Sequence, residues 1–259
     1  MYRGFNLNKI DKKKFNQSYN TGLNIFNEDR KKVMGILKDY TLNEGVLNGT
    51  KMQSDWFPQI NSHIFISHSH NDQEDVIALA GWLYDTFNLK SFIDSCVWGN
   101  ANDLLKLIDD KYCLQSDGNY DYDKRNYSTS HVHMILSTAL TKMIDKSECL
   151  IFYNTPKSIS SASIIATTES PWIYSEILIS QVLRHKVPSR LKVEDTRMFS
   201  KGGAINEHLR IEYELDLKHL NPIDEDFLQL WKKCKQSQGS NLDILYKLSP
   251  SQKTNIINK

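Results

Sequence analysis

Cysteine is sparse in this chain, and none of it is arranged in pairs. Cys96, Cys113, Cys149 and Cys234 are scattered, with no Cys-x-x-Cys spacing. That argues against a disulfide framework or a cysteine zinc site and fits a reducing cytoplasm. No apolar run approaches the length of a membrane span. Residues 1–15 are polar and lack the apolar core of a signal peptide. An excess of one charge is missing too: 32 Lys and Arg against 31 Asp and Glu leave a net charge of +1. Composition therefore makes no case for nucleic acid or an anionic membrane as a partner, and Lys12-Lys13-Lys14 reads as a short solvated run. No internal repeat is visible.

What is present suffices for a core. Hydrophobic residues make up 40% and charged residues 24% of 259, which suits one large domain or an ordinary one with extensions. Residues 1–58 are polar and Asn/Lys-rich, with a helix expected over 27–40 through Val33, Ile36, Leu37 and Tyr40. This part reads as a helical extension docked on a larger domain, with Trp56-Phe57-Pro58 as the boundary. From His63 the character changes. Ile64-Phe65-Ile66-Ser67 is a short apolar run that stops at polar His68-Ser69-His70-Asn71-Asp72, as a strand buried on both faces does. Val76, Leu79, Ala80, Leu83 and Phe87 then recur at helical spacing, and Phe92-Ile93-Asp94 is a second short strand. Strand, helix, strand predicts a βαβ unit with parallel neighbours.

Residues 95–130 interrupt the alternation, with a short helix over 102–112 and a turn at Asp117-Gly118-Asn119. A long helix is expected from about Ser130 to before Glu148, followed by a third buried strand, Cys149-Leu150-Ile151-Phe152-Tyr153. Ser170 and Pro171 then open another helix, one as cap and one at the first helical position, where no N–H is needed. Leu209, Ile211, Tyr213, Leu215 and Leu217 alternate with polar residues, which predicts an exposed edge strand. A helix over 224–234 turns Phe227, Leu228 and Trp231 inward, and 236–259 is a largely polar tail in which Leu242, Ile244, Leu245, Tyr246 and Leu248 either dock as one more helix or fray. The fold class expected is α/β, with a central, mostly parallel sheet and helices on both faces. The domain proper then covers residues 59–235, with the insertion at 95–130.

Two patterns invite chemistry. His68-x-His70-x-Asp72 after an apolar strand has the look of a zinc motif, but Gln73 stands where a further histidine is needed, and an ordinary amphipathic helix follows, so no metal is assigned. His131 and His133 are two apart and point to different faces of a helix. The stronger argument is positional. Ligands of parallel α/β sheets bind beyond the carboxyl ends of the strands. Ser67 to His70, Asp94 to Trp98, and Asn154 to Trp172 all follow strands, so they open onto one edge. Trp172 and Glu176 share a helical face there. Read alone, that pair is a packing Trp and a solvated Glu.

In this order and spacing, the motifs resemble the Toll/interleukin-1 receptor (TIR) family, over roughly residues 60–235. Ile64-Phe65-Ile66-Ser67 with Asp72 is similar to its first box, and Phe92-Ile93-Asp94 to the end of its second strand. Ile144 to Phe152 resembles its passage from second helix to third strand, and Trp172-x-x-x-Glu176 the motif of TIR domains that cleave NAD. The texture is closest to bacterial TIR proteins of antiphage defence. The resemblance implies a flavodoxin-like TIR fold and NAD glycohydrolase or ADP-ribosyl cyclase activity, with NAD as substrate, no cofactor and Glu176 as the essential carboxylate. Trp172 would wall the pocket, Ser67, His68 and His70 would approach the ribose or phosphates, and Asp94 and Trp98 would lie on the covering loop. It further implies assembly through TIR–TIR contacts, a trigger or effector protein, and a cytoplasmic location. His68 and His70 stand where family NADases carry an aromatic or an arginine, and the loop after Asp94 is much longer than usual. A non-catalytic TIR adaptor is the rival reading, and another nucleoside N-glycosidase is a third.

Overall fold

The computed structural model describes the chain apart from residues 9, 32–39, 41–45, 99–100, 160–166, 192–212, 237–238 and 250–259. Its centre is a five-stranded parallel sheet in the order β3-β2-β4-β1-β7. The strands are β1 (Arg3–Leu7), β2 (Ile64–Ser67), β3 (Ser91–Phe92), β4 (Cys149–Tyr153) and β7 (Asn221–Ile223). Every residue of β2 and β4 is buried, because helices cover both faces of a parallel sheet and leave neither for water. This is the α/β architecture expected, and it is consistent with a flavodoxin-like fold. The helix between β2 and β3, α3 (Gln73–Phe87), forms the expected βαβ unit, and Asn88 ends it in the left-handed conformation at φ 55°.

The N-terminal segment departs from expectation. It carries helices, α1 (Tyr19–Arg30) and α2 (Gly49–Trp56), but it also supplies β1, which lies between β4 and β7. Arg3–Leu7 of this segment is therefore a strand of the central sheet, which the reading of 1–58 as a helical extension does not foresee. Phe5 and Leu7, both fully buried, are enough to hold a strand that polar neighbours disguise in the sequence. Helix α1 begins eight residues before the expected start at Asn27, while 32–39 of the expected 27–40 helix fall outside the described residues.

Contact between α1 and α3 is set by two glycines. A Cβ on Gly22 would fall 2.1 Å from the Ile77 carbonyl oxygen, and one on Gly81 would fall 1.9 Å from that of Ser18. Only hydrogen atoms at both positions let the two backbones come this close. Phe15 closes the crossing edge-on to Trp82, with ring centroids 5.2 Å apart.

The insertion is mostly helix. It holds α4 (Asp94–Val97), α5 (Ala101–Tyr112) and the first turns of α6 (Tyr122–Lys146), which begins eight residues before the expected Ser130. Asp121 caps α6, accepting from Lys124 N at 3.0 Å. The described part of the alternating stretch, from Tyr213, forms no edge of the main sheet. Among the described residues, β6 (Tyr213–Glu214) pairs antiparallel with β5 (Thr167–Thr168) in a separate ribbon, and 208–212 lie outside the description. After α7 (Pro171–Val182) and α8 (Glu225–Lys233) one more helix follows among the described residues. Helix α9 (Asn241–Leu248) buries Leu242 and Leu245, and its Tyr246 hydroxyl donates to Glu148 Oε1 at 3.0 Å. Docking puts the domain's end beyond 235. No helix among the described residues is long and apolar enough to cross a membrane.

If the glycine crossing ties the N-terminal segment to the domain, Gly81→Ala costs about 2–3 kcal/mol, in the range of overpacked cores. That is a fall of roughly 5–10 °C in Tm for a chain of this size. An unchanged melting curve would show that the two helices do not pack as described.

Candidate functional site

The start of α7 decides which of its residues turn inward. Ser170 Oγ accepts from Ile173 N at 3.3 Å, with Pro171 at the first helical position. Ile173, Glu176, Ile177 and Ser180 then fall on one buried stripe, at the spacing of a core-facing helix face. A carboxylate inside such a stripe is expensive to bury without a partner. Glu176, 2% exposed, receives a hydrogen bond from Ser67 Oγ to Oε2 at 2.5 Å. The two residues are 109 apart in sequence. Ser67 is the last residue of β2, where the chain runs to β3 on one side and later to β4 on the other. Glu176 is thus held at the carboxyl edge of the sheet, at its topological switch point, where open α/β sheets bind ligands.

Three more residues join this cluster. His68 Nε2 and Ser95 Oγ are 3.0 Å apart, which ties the end of β2 to α4. Asp94 opens α4, and its charge acts on both Glu176 and His68. Burial drives the Glu176 carboxyl well above the usual carboxylate range. The Asp94 charge adds to this, and the hydrogen bond from Ser67 opposes it. Burial also lowers His68 below the ordinary imidazole value, against the pull of Asp94. Burial thus works against charge on both groups.

The other expected site residues go elsewhere. His70 is exposed, with its ring 6.2 Å from that of His68. Trp98 is a buried anchor: its Nε1 donates to the Pro58 carbonyl at 2.9 Å and its ring meets Phe57 and Phe92 edge-on. Trp172 is half-buried and meets the His133 ring of α6 edge-on at 5.8 Å. Asp72 turns away from the histidines toward Thr155 Oγ1 at 2.5 Å and Lys157 Nζ at 3.1 Å. No group of three or more potential metal ligands occurs among the described residues.

Sequence reasoning missed the polar residues that β1 brings to the same edge. Asn154, just after β4, donates from Nδ2 to Asn6 Oδ1 at 3.1 Å, and its backbone N–H donates to the Leu7 carbonyl. Tyr153 closes β4 with its phenol buried, and burial together with the charges of Asp75 and Asp72 pushes its pKa up. The signal was a brief alternation, Phe5-Asn6-Leu7-Asn8, inside a polar segment.

A scan against family models and searches of curated proteins and of solved structures each return no match. The arrangement itself has a definite chemical capacity. A carboxyl group held in an apolar stripe, once it ionises, meets a developing cation with little competing solvent.

The raised carboxyl fixes the sign of a pH effect. Its contribution to stability is complete below the ordinary glutamate range and is lost as pH rises through the elevated value. Glu176→Gln keeps an acceptor for Ser67 and removes the charge. Its Tm should match that of the unaltered protein near pH 4 and exceed it at pH 8 by at least about 3 °C, the shift that about 1 kcal/mol produces at this size. Parallel melting curves across that range would show that the carboxyl is not buried.

Proposed function

We propose that this chain is a TIR-type enzyme that cleaves the nicotinamide–ribose bond of NAD, with Glu176 as the essential carboxylate. The observation that carries the reading is the buried Ser67–Glu176 hydrogen bond at the switch point of a parallel sheet. Trp172-x-x-x-Glu176 and the ordered strand-end motifs support it.

The chemistry suits a single carboxylate. The bond from ribose C1′ to the pyridinium nitrogen breaks with both electrons going to nitrogen, so nicotinamide leaves neutral and needs no general acid, where glycosidases use two carboxyl groups. Positive charge develops on the ribose, and ionised Glu176 stabilises it electrostatically while accepting hydrogen bonds from the ribose hydroxyls. Water adds to C1′ and loses a proton to give ADP-ribose; attack by an adenine nitrogen gives a cyclic product instead. Ser67 is a positioning residue, holding the carboxylate in one rotamer.

A sealed Glu176 is a resting state in this scheme. Activity requires the α4 segment, joined to β2 by His68 and Ser95, to move and admit substrate. Self-assembly or a trigger protein would supply that step, in the cytoplasm and as part of an antiphage response. The same burial also suits the rival reading, a TIR adaptor whose glutamate is structural.

NAD consumption, followed by mass spectrometry at high protein concentration, separates the two readings. Glu176→Ala should abolish turnover, and Ser67→Ala should lower kcat about tenfold, a loss of about 1.4 kcal/mol, with KM little changed. Full turnover by Glu176→Ala removes that residue from the chemistry. An unaltered protein inert at every concentration and with every trigger tried favours the adaptor.

A further inference from the structure

A second cavity, of about 890 Å³, lies between α2, α5 and α6 and shares no lining residue with the Glu176 cluster. Its size is that of a small-molecule site. Leu47 and Met52 line it from the α2 side, Ile108 from α5 and Ile135 from α6. Among the described residues, the insertion at 95–130 builds most of the far wall, so the cavity depends on the part of the chain that departs furthest from the TIR pattern.

Its polar groups are few and lie at the rim. Lys124, Tyr127 and His131 are exposed along α6, and the Tyr127 and His131 rings meet edge-on at 4.4 Å. Nearby cations are engaged: Arg125 pairs with Asp109 at 3.1 Å and Lys142 donates to Gln53 at 2.7 Å. The Lys124 ammonium forms no ion pair among the described residues. The rim also carries one carboxylate, Asp123. It sits in the first turn of α6, where the helix dipole and free N–H groups offset negative charge. Apolar walls, an ammonium whose charge reaches Asp121 without forming an ion pair among the described residues, and an imidazole at the mouth complement a molecule with an apolar body and one anionic group.

We propose that this cavity binds a small anionic amphiphile, its apolar body among Leu47, Met52, Ile108 and Ile135 and its anionic group at Lys124 and His131. Gly49 offers a clean way to block the site. It lines the cavity, and a Cβ built on it meets nothing within 4 Å, so a side chain there enters open space.

The test uses the whole chain and the fluorescent anion anilinonaphthalenesulfonate, with decanoate and decyltrimethylammonium as competitors of equal chain length. Saturable binding of one dye per chain is expected. Gly49→Phe should weaken it at least about tenfold by filling the cavity. Decanoate should displace the dye and decyltrimethylammonium should not. Lys124→Glu should raise the decanoate Kd at least about fivefold, roughly 1 kcal/mol of lost ion pairing. Far-UV circular dichroism and Tm confirm that both variants fold; should Gly49→Phe fail to, Leu47→Trp fills the same space. Dye binding that is unsaturable, or unchanged when the cavity is filled, overturns the site. Equal displacement by the cationic competitor overturns its preference for anions. None of these outcomes depends on NAD turnover.

Discussion

Strand β4 is hydrogen-bonded on both sides by strands that precede it in the chain, β2 on one flank and β1 on the other. All three run parallel, so each pairing brings the carboxyl end of another segment to the same edge. The rest of the molecule follows from this. Burial of β4 on both faces requires helices above and below. The crossover from β2 through α3 to β3, followed by the return to β4, opens the switch point where Ser67 and Glu176 meet. The flank held by β1 carries β7, and Asn6 comes to the edge beside Asn154.

The Glu176 carboxyl shows how an energetic cost marks a site. Ile173, Ile177 and Ser180 on the same stripe would pack as well around an apolar residue, and an apolar residue would carry no desolvation penalty. One hydroxyl, Ser67, meets the carboxyl, and a second acid, Asp94, raises the cost of its charge. Perturbed groups of this kind cluster at functional sites more often than chance requires. In the function proposed above, the resemblance of its motif to that of NAD-cleaving TIR domains would give the group its reaction, and burial would give it a setting in which one carboxylate suffices.

The insertion supplies a different kind of feature. A stretch that breaks the strand–helix alternation folds as α5 and the first turns of α6, packed against one another, while α2 packs on α6 further along, at Ile135 and Lys142. Two sides of α6 meet different neighbours: Tyr127 and His131 border the cavity, while His133 meets Trp172 of α7.

Local signals determined much of this by themselves. Unbroken apolar runs at Ile64–Ser67 and Cys149–Tyr153 marked buried parallel strands, and the Ser170-Pro171 start put Glu176 six residues into a helix whose face then followed from periodicity. Trp98 and Trp172 were legible as large rings near strand and helix ends, but not as partners of Pro58 and His133, because any apolar surface can receive an indole. Tertiary structure alone decided that Arg3–Leu7 is a sheet strand: five residues with two buried side chains carry no periodicity long enough to read, and their stability comes from the strands beside them. It alone decided that Glu176 is sealed against Ser67 and not solvated on an open face. Helical spacing says which residues share a side, and only packing says what that side meets.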